Sequence, residues 1–162
     1  MYLVFDTETT GLPASWKAPV SEVDNWPQVV SLAWEAFDTR GLKRGVWSSM
    51  IRPERFKIPK EAESIHGIST RTATRIGVPV KMALNEFMEA FGEASVVVAH
   101  NLSFDASALS AERYRLGIQQ PFRHKTRVCT KEAATDFCAI PGPYGFKCRH
   151  CTSSTPNCSR DT

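Results

Sequence analysis

The sequence predicts one α/β domain built on a mixed β-sheet that is flanked by helices. The apolar run at residues 1–5 is predicted to form a first strand, and residues 29–37 and 42–51 are predicted to form a hairpin around the turn at residues 38–41. Helical and strand patterns alternate after the hairpin. This order of elements is typical of a sheet with both antiparallel and parallel neighbours.

The later elements are predicted from local patterns. Apolar residues at helical spacing, with a proline at the start or a glycine near the end, indicate helices. Short apolar runs between polar segments indicate strands. The predicted elements are a helix from Pro79 to Gly92, a strand at residues 96–99, a helix from about Phe104 to a left-handed cap at Gly117–Ile118, a strand at residues 126–129 and a helix at residues 131–138.

The composition is that of an ordinary globular protein. The chain has 162 residues, of which 42% are hydrophobic and 23% charged, which is enough for one core. Its net charge of +3 is compatible with a polyanionic partner but is also common in proteins without one. No apolar stretch approaches the roughly 18 residues of a transmembrane helix, and the N-terminus has no signal-peptide pattern. We therefore expect a soluble, cytoplasmic protein with no membrane partner.

The cysteines do not form the pattern of a secreted disulfide framework. There are five, and Cys148, Cys151 and Cys158 are crowded near the C-terminus. An odd, uneven set indicates reduced thiols. A small zinc knuckle made by these three cysteines and His150 is an alternative, although their spacing is tighter than in standard zinc sites.

Two acidic residues follow the first apolar run at a spacing of two. If the strand continues, Asp6 and Glu8 lie on the same face with their Cα atoms roughly 6.6 Å apart. Two carboxylates at that separation can flank a pair of divalent cations about 3.5–4 Å apart. The alternative for the pair alone is structural, with Asp6 capping a turn and Glu8 exposed at the end of the strand.

A third acidic residue follows the predicted strand at residues 96–99. Asp105 is expected in the first turn of the next helix, after a polar turn that contains Asn101. Taken alone, Asp105 has a purely structural interpretation, because an acidic residue there complements the helix dipole. A chemical role for Asp105 is favoured only when it is considered together with Asp6 and Glu8.

Three segments together resemble one family. Residues 5–11, 64–69 and 96–105 are similar, in chain order, to the first exonuclease motif, the Ile-His-Gly-Ile loop and the second exonuclease motif of the DEDD exonucleases, in particular of the DnaQ-like branch. The insert at residues 11–27, together with the segment at residues 28–34 that follows it, resembles a bacterial and phage subgroup. The resemblance covers about residues 1–147, and it implies a ribonuclease H-like fold.

The resemblance also implies an activity and a metal site. A DnaQ-like exonuclease hydrolyses phosphodiester bonds at the 3′ ends of single-stranded DNA by two-metal catalysis. Asp6, Glu8 and Asp105 would be the catalytic residues and would hold two Mg²⁺ or Mn²⁺ ions, since these hard cations require oxygen ligands. His100 receives no role, because the family takes its general base from a later helix. Single-stranded nucleic acid, DNA in preference to RNA, and a DNA polymerase subunit are the implied partners.

Six further residues match positions at which the family contacts its substrate. Some also have ordinary structural interpretations: Gly11 as a turn residue, His66 as a surface or capping histidine and Phe104 as a core residue. A basic cluster at residues 123–127 is either a phosphate-tracking element or a solvated face. The implied substrate-binding residues are Thr9, Gly11, Leu12, His66, Asn101 and Phe104.

The C-terminal segment departs from the family pattern. Residues 148–162 contain no Val, Ile, Leu, Met, Phe, Tyr or Trp, so they cannot provide an apolar helix face, and we expect this Cys-rich tail to be disordered. The family's closing helix carries a fourth aspartate, five residues after a histidine or four after a tyrosine, and neither pattern occurs. We therefore expect an exonuclease domain at residues 1–147 that is C-terminally incomplete. The alternative function is a catalytically inactive remnant that binds metal or nucleic acid.

Overall fold

We describe residues 1–118 and 125–138 of the computed structural model. The predicted tail at residues 148–162 with its cysteines, the domain boundary at residue 147 and the first part of the basic cluster lie outside these residues. The strands are β1 Tyr2–Thr9, β2 Val29–Phe37, β3 Lys43–Met50, β4 Val96–Ala99 and β5 Thr126–Cys129. The helices are α1 Lys60–His66, α2 Thr70–Ile76, α3 Val80–Glu93, α4 Leu102–Arg115 and α5 Thr130–Cys138.

The five strands form one sheet in the order β3-β2-β1-β4-β5. The pairs β1–β2 and β2–β3 are antiparallel, whereas β1–β4 and β4–β5 are parallel. The predicted mixed sheet is therefore confirmed. Because β1 is the central strand, the acidic pair that it carries lies in the middle of the sheet.

Strand β1 is longer than the apolar run from which it was predicted. It continues to Thr9 because β2 pairs with it along its whole length, from Tyr2 opposite Phe37 to Thr9 opposite Val29. Burial alternates along the strand, with Thr7 buried between an exposed Asp6 and a half-buried Glu8. Asp6 and Glu8 therefore lie on the face opposite Thr7, as the alternation of strand side chains requires.

The main core lies between the sheet and helices α3 and α4. Leu3 and Phe5 of β1 are buried there, and the ring of Phe5 lies 5.1 Å from that of Phe87 in α3. A second cluster forms where Val30 of β2 packs with buried residues of α1 and α2. α4 thus packs in the cluster that contains β1, whereas α1 and α2 pack against β2.

The structure differs from the sequence prediction in two local details and agrees with it in a third. Helices α1 and α2, of seven residues each, were not predicted, because so short a segment has little periodicity. Gly92 lies inside the last turn of α3 and does not end it, since Ala94 is the cap residue. The left-handed Gly117 does end α4, and the amide of Ile118 donates to the carbonyl of Arg113 (2.9 Å), as the predicted cap requires.

Candidate active site

The candidate site lies where two parallel strands separate. β1 pairs with β4 only from Tyr2 to Val4, whereas β1 itself runs on to Thr9. β4 ends at Ala99, and the chain turns through Asn101 into α4. The gap that opens at the carboxyl ends of neighbouring strands is the usual place for a ligand in an α/β sheet.

Asp105 of α4 fills part of this gap and contacts β1 directly. Its Oδ1 accepts one hydrogen bond from the amide of Thr7 (3.1 Å) and another from the Thr7 hydroxyl (2.7 Å). Only 2% of Asp105 is exposed. The second acidic segment is therefore fixed beside the first by a residue that lies between Asp6 and Glu8.

The carboxylates of Asp105 and Asp6 influence each other. The pKa of Asp105 is raised to about 6, because burial and the negative charge of Asp6 outweigh the hydrogen bonds from Thr7 that lower it. Loss of solvation also raises the pKa of Asp6, while the nearby His100 lowers it. The site therefore concentrates acidic groups whose charges are poorly solvated, which is the environment that a cation relieves.

His100 is a neighbour of the acidic pair to which sequence analysis gave no role. It is exposed at the end of β4, and its Nδ1 lies 3.2 Å from the Thr130 hydroxyl at the start of α5. Its effect on the pKa of Asp6 shows that the two side chains lie within electrostatic range. No signal in the sequence indicated this proximity, which arises because β4 and β1 are parallel neighbours.

Glu8 shares the face of Asp6 on β1 and is half-buried. Within residues 1–118 and 125–138, no three His, Cys, Asp or Glu side chains are already grouped closely enough to hold an ion. What the structure brings together is Asp6 with Asp105. The convergence of all three predicted carboxylates on metal therefore stays a prediction.

The residues that follow the acidic pair form a turn held by hydrogen bonds. The Thr9 hydroxyl donates to the carbonyl of Gly11 (2.7 Å), and the amide of Thr10 donates to Gln28 (2.9 Å). Gly11 has φ near +149°, which side chains disfavour, so a glycine is required there. Leu12 projects into solvent with 72% of its surface exposed. An apolar residue this exposed beside a polar site is available to a ligand.

His66 is the last residue of α1 and is held in one orientation. Its Nδ1 accepts a hydrogen bond from the amide of Ile68 (3.0 Å), so the proton of the neutral ring lies on Nε2. The left-handed conformation of Gly67 turns the chain back after α1, so that the amide of Ile68 can reach His66. Nε2 is buried and has no hydrogen-bond partner among the described residues. The bond from Ile68 fits the capping alternative for His66, and substrate contact by His66 stays a prediction.

Asn101 and Phe104 frame the start of α4. Asn101 adopts the left-handed conformation with φ of 63°, and its Oδ1 accepts a hydrogen bond from Lys131 (3.3 Å). Phe104 is only partly buried, and its ring lies 5.8 Å from that of Trp16. The alternative placement of Phe104 in the core is thus wrong, because Phe104 faces the inserted loop.

A buried ion pair holds the inserted loop against α4. Glu112 accepts a hydrogen bond from the amide of Val29 (2.8 Å) and pairs with Arg115 (3.0 Å). Arg115 in turn donates to the carbonyls of Val23 (2.6 Å) and Trp26 (2.5 Å). Sequence analysis missed this pair, since a Glu and an Arg three residues apart are also common on exposed helix faces.

Comparison with known proteins identifies an exonuclease family. The family model RNase_T, described as Exonuclease, matches residues 3–138. The DNA polymerase III subunit epsilon of Treponema pallidum (strain Nichols) is 32% identical over 124 residues, which are 76% of this chain and 51% of that protein. A DNA polymerase III subunit epsilon-like protein of Rhodobacter capsulatus is 27% identical over 116 residues, 72% of this chain and 15% of that protein. The chain thus spans about half, or less, of the length of these relatives.

Solved structures of E. coli Exonuclease I share the fold. The complex with a 5cy-dA13 oligonucleotide has a TM-score of 0.68 at 15% identity and covers 90% of this chain and 34% of that one. The zinc-bound complex with single-stranded DNA has a TM-score of 0.63 at 14% identity, with 86% and 30% covered. Among the described residues, the helices are too short or too polar to cross a bilayer.

Proposed function

The chain belongs to the RNase_T exonuclease family, and on this premise we propose that it hydrolyses phosphodiester bonds at the 3′ ends of single-stranded DNA by two-metal catalysis. The observation that carries the proposal is the pair of hydrogen bonds from Thr7 to Asp105. These bonds hold Asp105 of α4 against the residue that lies between Asp6 and Glu8 of β1. Carboxylates from both elements would then be available to ligate two hard cations.

The proposed metal ligands are Asp6, Glu8 and Asp105, which would hold two Mg²⁺ or Mn²⁺ ions. The donor chemistry fits, because carboxylate oxygens are the preferred ligands of both ions and the raised pKa values of Asp6 and Asp105 reflect charges that lack compensation. When bound, such ions lower the pKa of a water and neutralise the charge that develops on the leaving oxygen. Thr7 orients Asp105 for this purpose without touching substrate.

Substrate binding is proposed for the residues around the acidic pair. Substrate binding by His66 is proposed on the resemblance of residues 64–69 to the family's loop, whereas its Nε2 is buried and has no acceptor among the described residues. Leu12 offers an apolar surface to a terminal nucleotide, while Thr9 and Gly11 shape the turn next to it. Asn101 and Phe104 line the other side of the site at the start of α4.

The choice of single-stranded DNA rests on the relatives. E. coli Exonuclease I, whose fold this chain shares, was crystallised with DNA oligonucleotides. Unstacked bases at a free 3′ end would be accessible to the exposed Leu12 and to the aromatic ring of Phe104. Because of this likeness to Exonuclease I, we propose that the substrate is DNA and not RNA.

The test is a degradation assay with matched variants. The substrate is a 5′-labelled 20-nucleotide single strand of DNA with Mn²⁺, run beside the same strand with a blocked 3′ end and an RNA of the same sequence. We expect products shortened one nucleotide at a time from an open 3′ end, loss of that ladder in Asp6→Asn, and no loss in Glu61→Gln, which removes an exposed acid on α1. A ladder that Asp6→Asn retains would show a contaminating nuclease and overturn the proposal.

A second candidate is favoured by one sequence observation. Residues 148–162 do not carry the aspartate with its preceding histidine or tyrosine that the family uses. An inactive remnant would bind Mn²⁺ and the labelled DNA, and it would lose Mn²⁺ binding in Asp6→Asn, yet it would leave the DNA intact. The same assay with a binding measurement therefore separates the two functions.

Association with a DNA polymerase subunit is part of the proposal. It rests on the relative from Treponema pallidum, which is a subunit of DNA polymerase III. Co-elution with the polymerase catalytic subunit of the same cell in size-exclusion chromatography is the expected result. Separate elution at micromolar concentrations of both proteins would contradict it.

A further inference from the structure

Trp16 is a large apolar side chain that the fold leaves in water. It lies in the inserted loop, and 56% of its surface is exposed. Its ring lies 5.8 Å from that of Phe104, at an interplanar angle of 54°. Phe104 immediately precedes Asp105. An exposed tryptophan therefore borders the candidate active site on the side of α4.

The loop around Trp16 is held in place although it is exposed. The amide of Ser15 donates to Oδ1 of Asn25 (2.7 Å), and Nδ2 of Asn25 donates back to the carbonyl of Ser15 (2.9 Å). The amide of Ala14 also donates to the carbonyl of Asn25 (3.0 Å). Because Ser15 and Asn25 each donate a hydrogen bond to the other, the backbone next to Trp16 is fixed. The ring is presented to solvent by an ordered loop.

The rest of the loop is anchored to the helix that carries Phe104. Arg115 donates to the carbonyls of Val23 and Trp26, and Nε1 of Trp26 donates to the carbonyl of Pro19 (3.2 Å). Phe104 and Arg115 both belong to α4. The two aromatic rings are thus positioned by one rigid element and by the loop fixed to it.

The geometry of the pair leaves room for a third ring. Aromatic rings attract each other at centroid distances of about 4.5–7 Å, and a tilted contact covers only part of each face. More than half of Trp16 remains accessible, which is enough for a planar group to stack on it. Lys17, the next residue, is exposed and carries a positive charge beside this surface. A planar ring next to an ammonium group matches a nucleobase and its phosphate.

We propose that Trp16, supported by Phe104, is a stacking platform for a nucleobase of the single strand. This base lies on the 5′ side of the 3′-terminal nucleotide, which is bound at the acidic pair. The inference rests on the proposed function and assigns Trp16 a role in substrate binding. Stacking on an aromatic ring does not depend on base identity, so the platform favours single strands over duplexes without sequence preference.

A purely structural role for Trp16 makes a different prediction. If Trp16 only covers Phe104, its removal lowers stability but affects the binding of every oligonucleotide equally. A stacking role requires a base. The discriminating substrates are therefore oligonucleotides that keep the phosphate backbone and lack one base.

The experiment measures binding of 5′-fluorescein-labelled dT10 by anisotropy in EDTA, where metal-dependent hydrolysis is arrested. We expect Trp16→Ala to weaken binding by roughly 5- to 150-fold, the range for loss of one stacked base. Trp16→Phe should retain most of the affinity. Leu42→Ala, at the far end of the β2–β3 hairpin and 51% exposed, is the matched control and should bind as the wild type does.

An abasic scan completes the test. One base is removed at a time from the six nucleotides at the 3′ end of dT10, and at one position the difference between wild type and Trp16→Ala should disappear. Tryptophan fluorescence should be quenched when dT10 binds the wild type, and most of this quenching should be absent in Trp16→Phe, which keeps an aromatic contact to Phe104.

Two results would overturn the platform. The first is binding of dT10 by Trp16→Ala within twofold of the wild type, and the second is a loss that is the same at every abasic position. Either result leaves the proposed function standing if the wild type binds DNA and degrades it in an Asp6-dependent way. Failure of the wild type both to bind dT10 in EDTA and to degrade it with Mn²⁺ would overturn both.

Discussion

One oxygen of Asp105 accepts both the amide and the hydroxyl hydrogen bonds of Thr7, at 3.1 and 2.7 Å, across 98 residues of sequence. This contact joins the two acidic segments of the site. It also buries the carboxylate, since only 2% of the surface of Asp105 is exposed. The free energy of that burial depends on pH and on metal.

Asp105→Asn should stabilise the metal-free protein at neutral pH. The pKa of Asp105 is raised to about 6 in the folded state, whereas an unfolded aspartate titrates near 3.9, so the folded state binds the proton more tightly. The stability that this group contributes is full below pH 4 and is lost as the pH rises through 6. We expect a gain of about 2 kcal/mol for Asp105→Asn at pH 7.5 in EDTA, which shrinks towards pH 4.

Urea unfolding of wild type and Asp105→Asn at pH 4, 5, 6 and 7.5 provides this measurement. Glu61→Gln, an exposed acid on α1, is the control and should give a difference near zero at each pH. A difference between wild type and Asp105→Asn that is constant with pH would contradict the raised pKa.

Mn²⁺ should raise the melting temperature of the wild type. A cation that binds the acidic groups of the folded state stabilises it by mass action and relieves the repulsion between Asp6 and Asp105. Asp6→Asn removes one proposed ligand, and its melting temperature should respond little. Thermal unfolding with 0 and 5 mM Mn²⁺ measures both shifts, and equal shifts in the two proteins would exclude this site.

Thr7→Val should weaken Mn²⁺ binding at low pH more than at high pH. The hydroxyl of Thr7 lowers the pKa of Asp105, so its removal raises that pKa and leaves more of the carboxyl protonated near pH 6. We expect roughly a tenfold loss of Mn²⁺ affinity at pH 6, in line with the loss of a hydrogen bond to a charged group, and a smaller loss at pH 8.

Titration calorimetry at the two pH values measures the affinity of Thr7→Val for Mn²⁺. Thr7→Ser keeps the hydroxyl and should behave as the wild type does. If Thr7→Val and Thr7→Ser lose the same affinity at both pH values, the hydroxyl does not set the charge of Asp105.

Arg115→Ala should loosen the inserted loop. The change leaves the buried Glu112 without its ion-pair partner and removes the hydrogen bonds to Val23 and Trp26. Breaking a buried ion pair from one side destabilises by about 3–5 kcal/mol. Trypsin should then cut at Lys17 faster than in the wild type, while Arg71→Ala, an exposed residue of α2, should leave that rate unchanged.

Catalysis by this chain should be slow relative to a version that carries the family's closing pattern. The comparison replaces the sequence after Lys147 with a helix bearing His-x4-Asp, and both proteins degrade 3′-labelled single-stranded DNA with Mg²⁺. A general base contributes roughly 10²–10⁴-fold, so a gain of at least that size is expected. If the original chain already works within about tenfold of the replaced one, its fourth ligand and base come from other residues.

Much of the fold and part of the site could be predicted from local sequence. The hairpin at residues 29–51, the strand before Asn101 and the helix that begins near Asp105 are each encoded by residues that are neighbours in the chain. Burial of alternate residues on β1 follows from the same kind of pattern. The acidic spacing Asp6-x-Glu8 therefore carried real information about which side chains share a face.

Short elements and long-range contacts escaped prediction. The seven-residue helices α1 and α2 have too few turns to show a period, and they are stable only because Val30 packs against them. β1 extends beyond its apolar residues because β2 offers partners up to Val29. In each of these cases a neighbour distant in sequence provided the stabilising contact.

The order of residues alone is enough to predict where charges lie, which segments form the longer strands and helices, and that Asp6, Glu8 and Asp105 follow an exonuclease pattern. Three contacts arise only in the folded protein: Thr7 holds Asp105, His100 lies within electrostatic range of Asp6, and Trp16 packs against Phe104. The difference comes from the distance along the chain over which each kind of interaction acts. Periodicity and turn chemistry act over a few residues, whereas a hydrogen bond or a pKa shift depends on atoms that only the packed sheet and helices bring together.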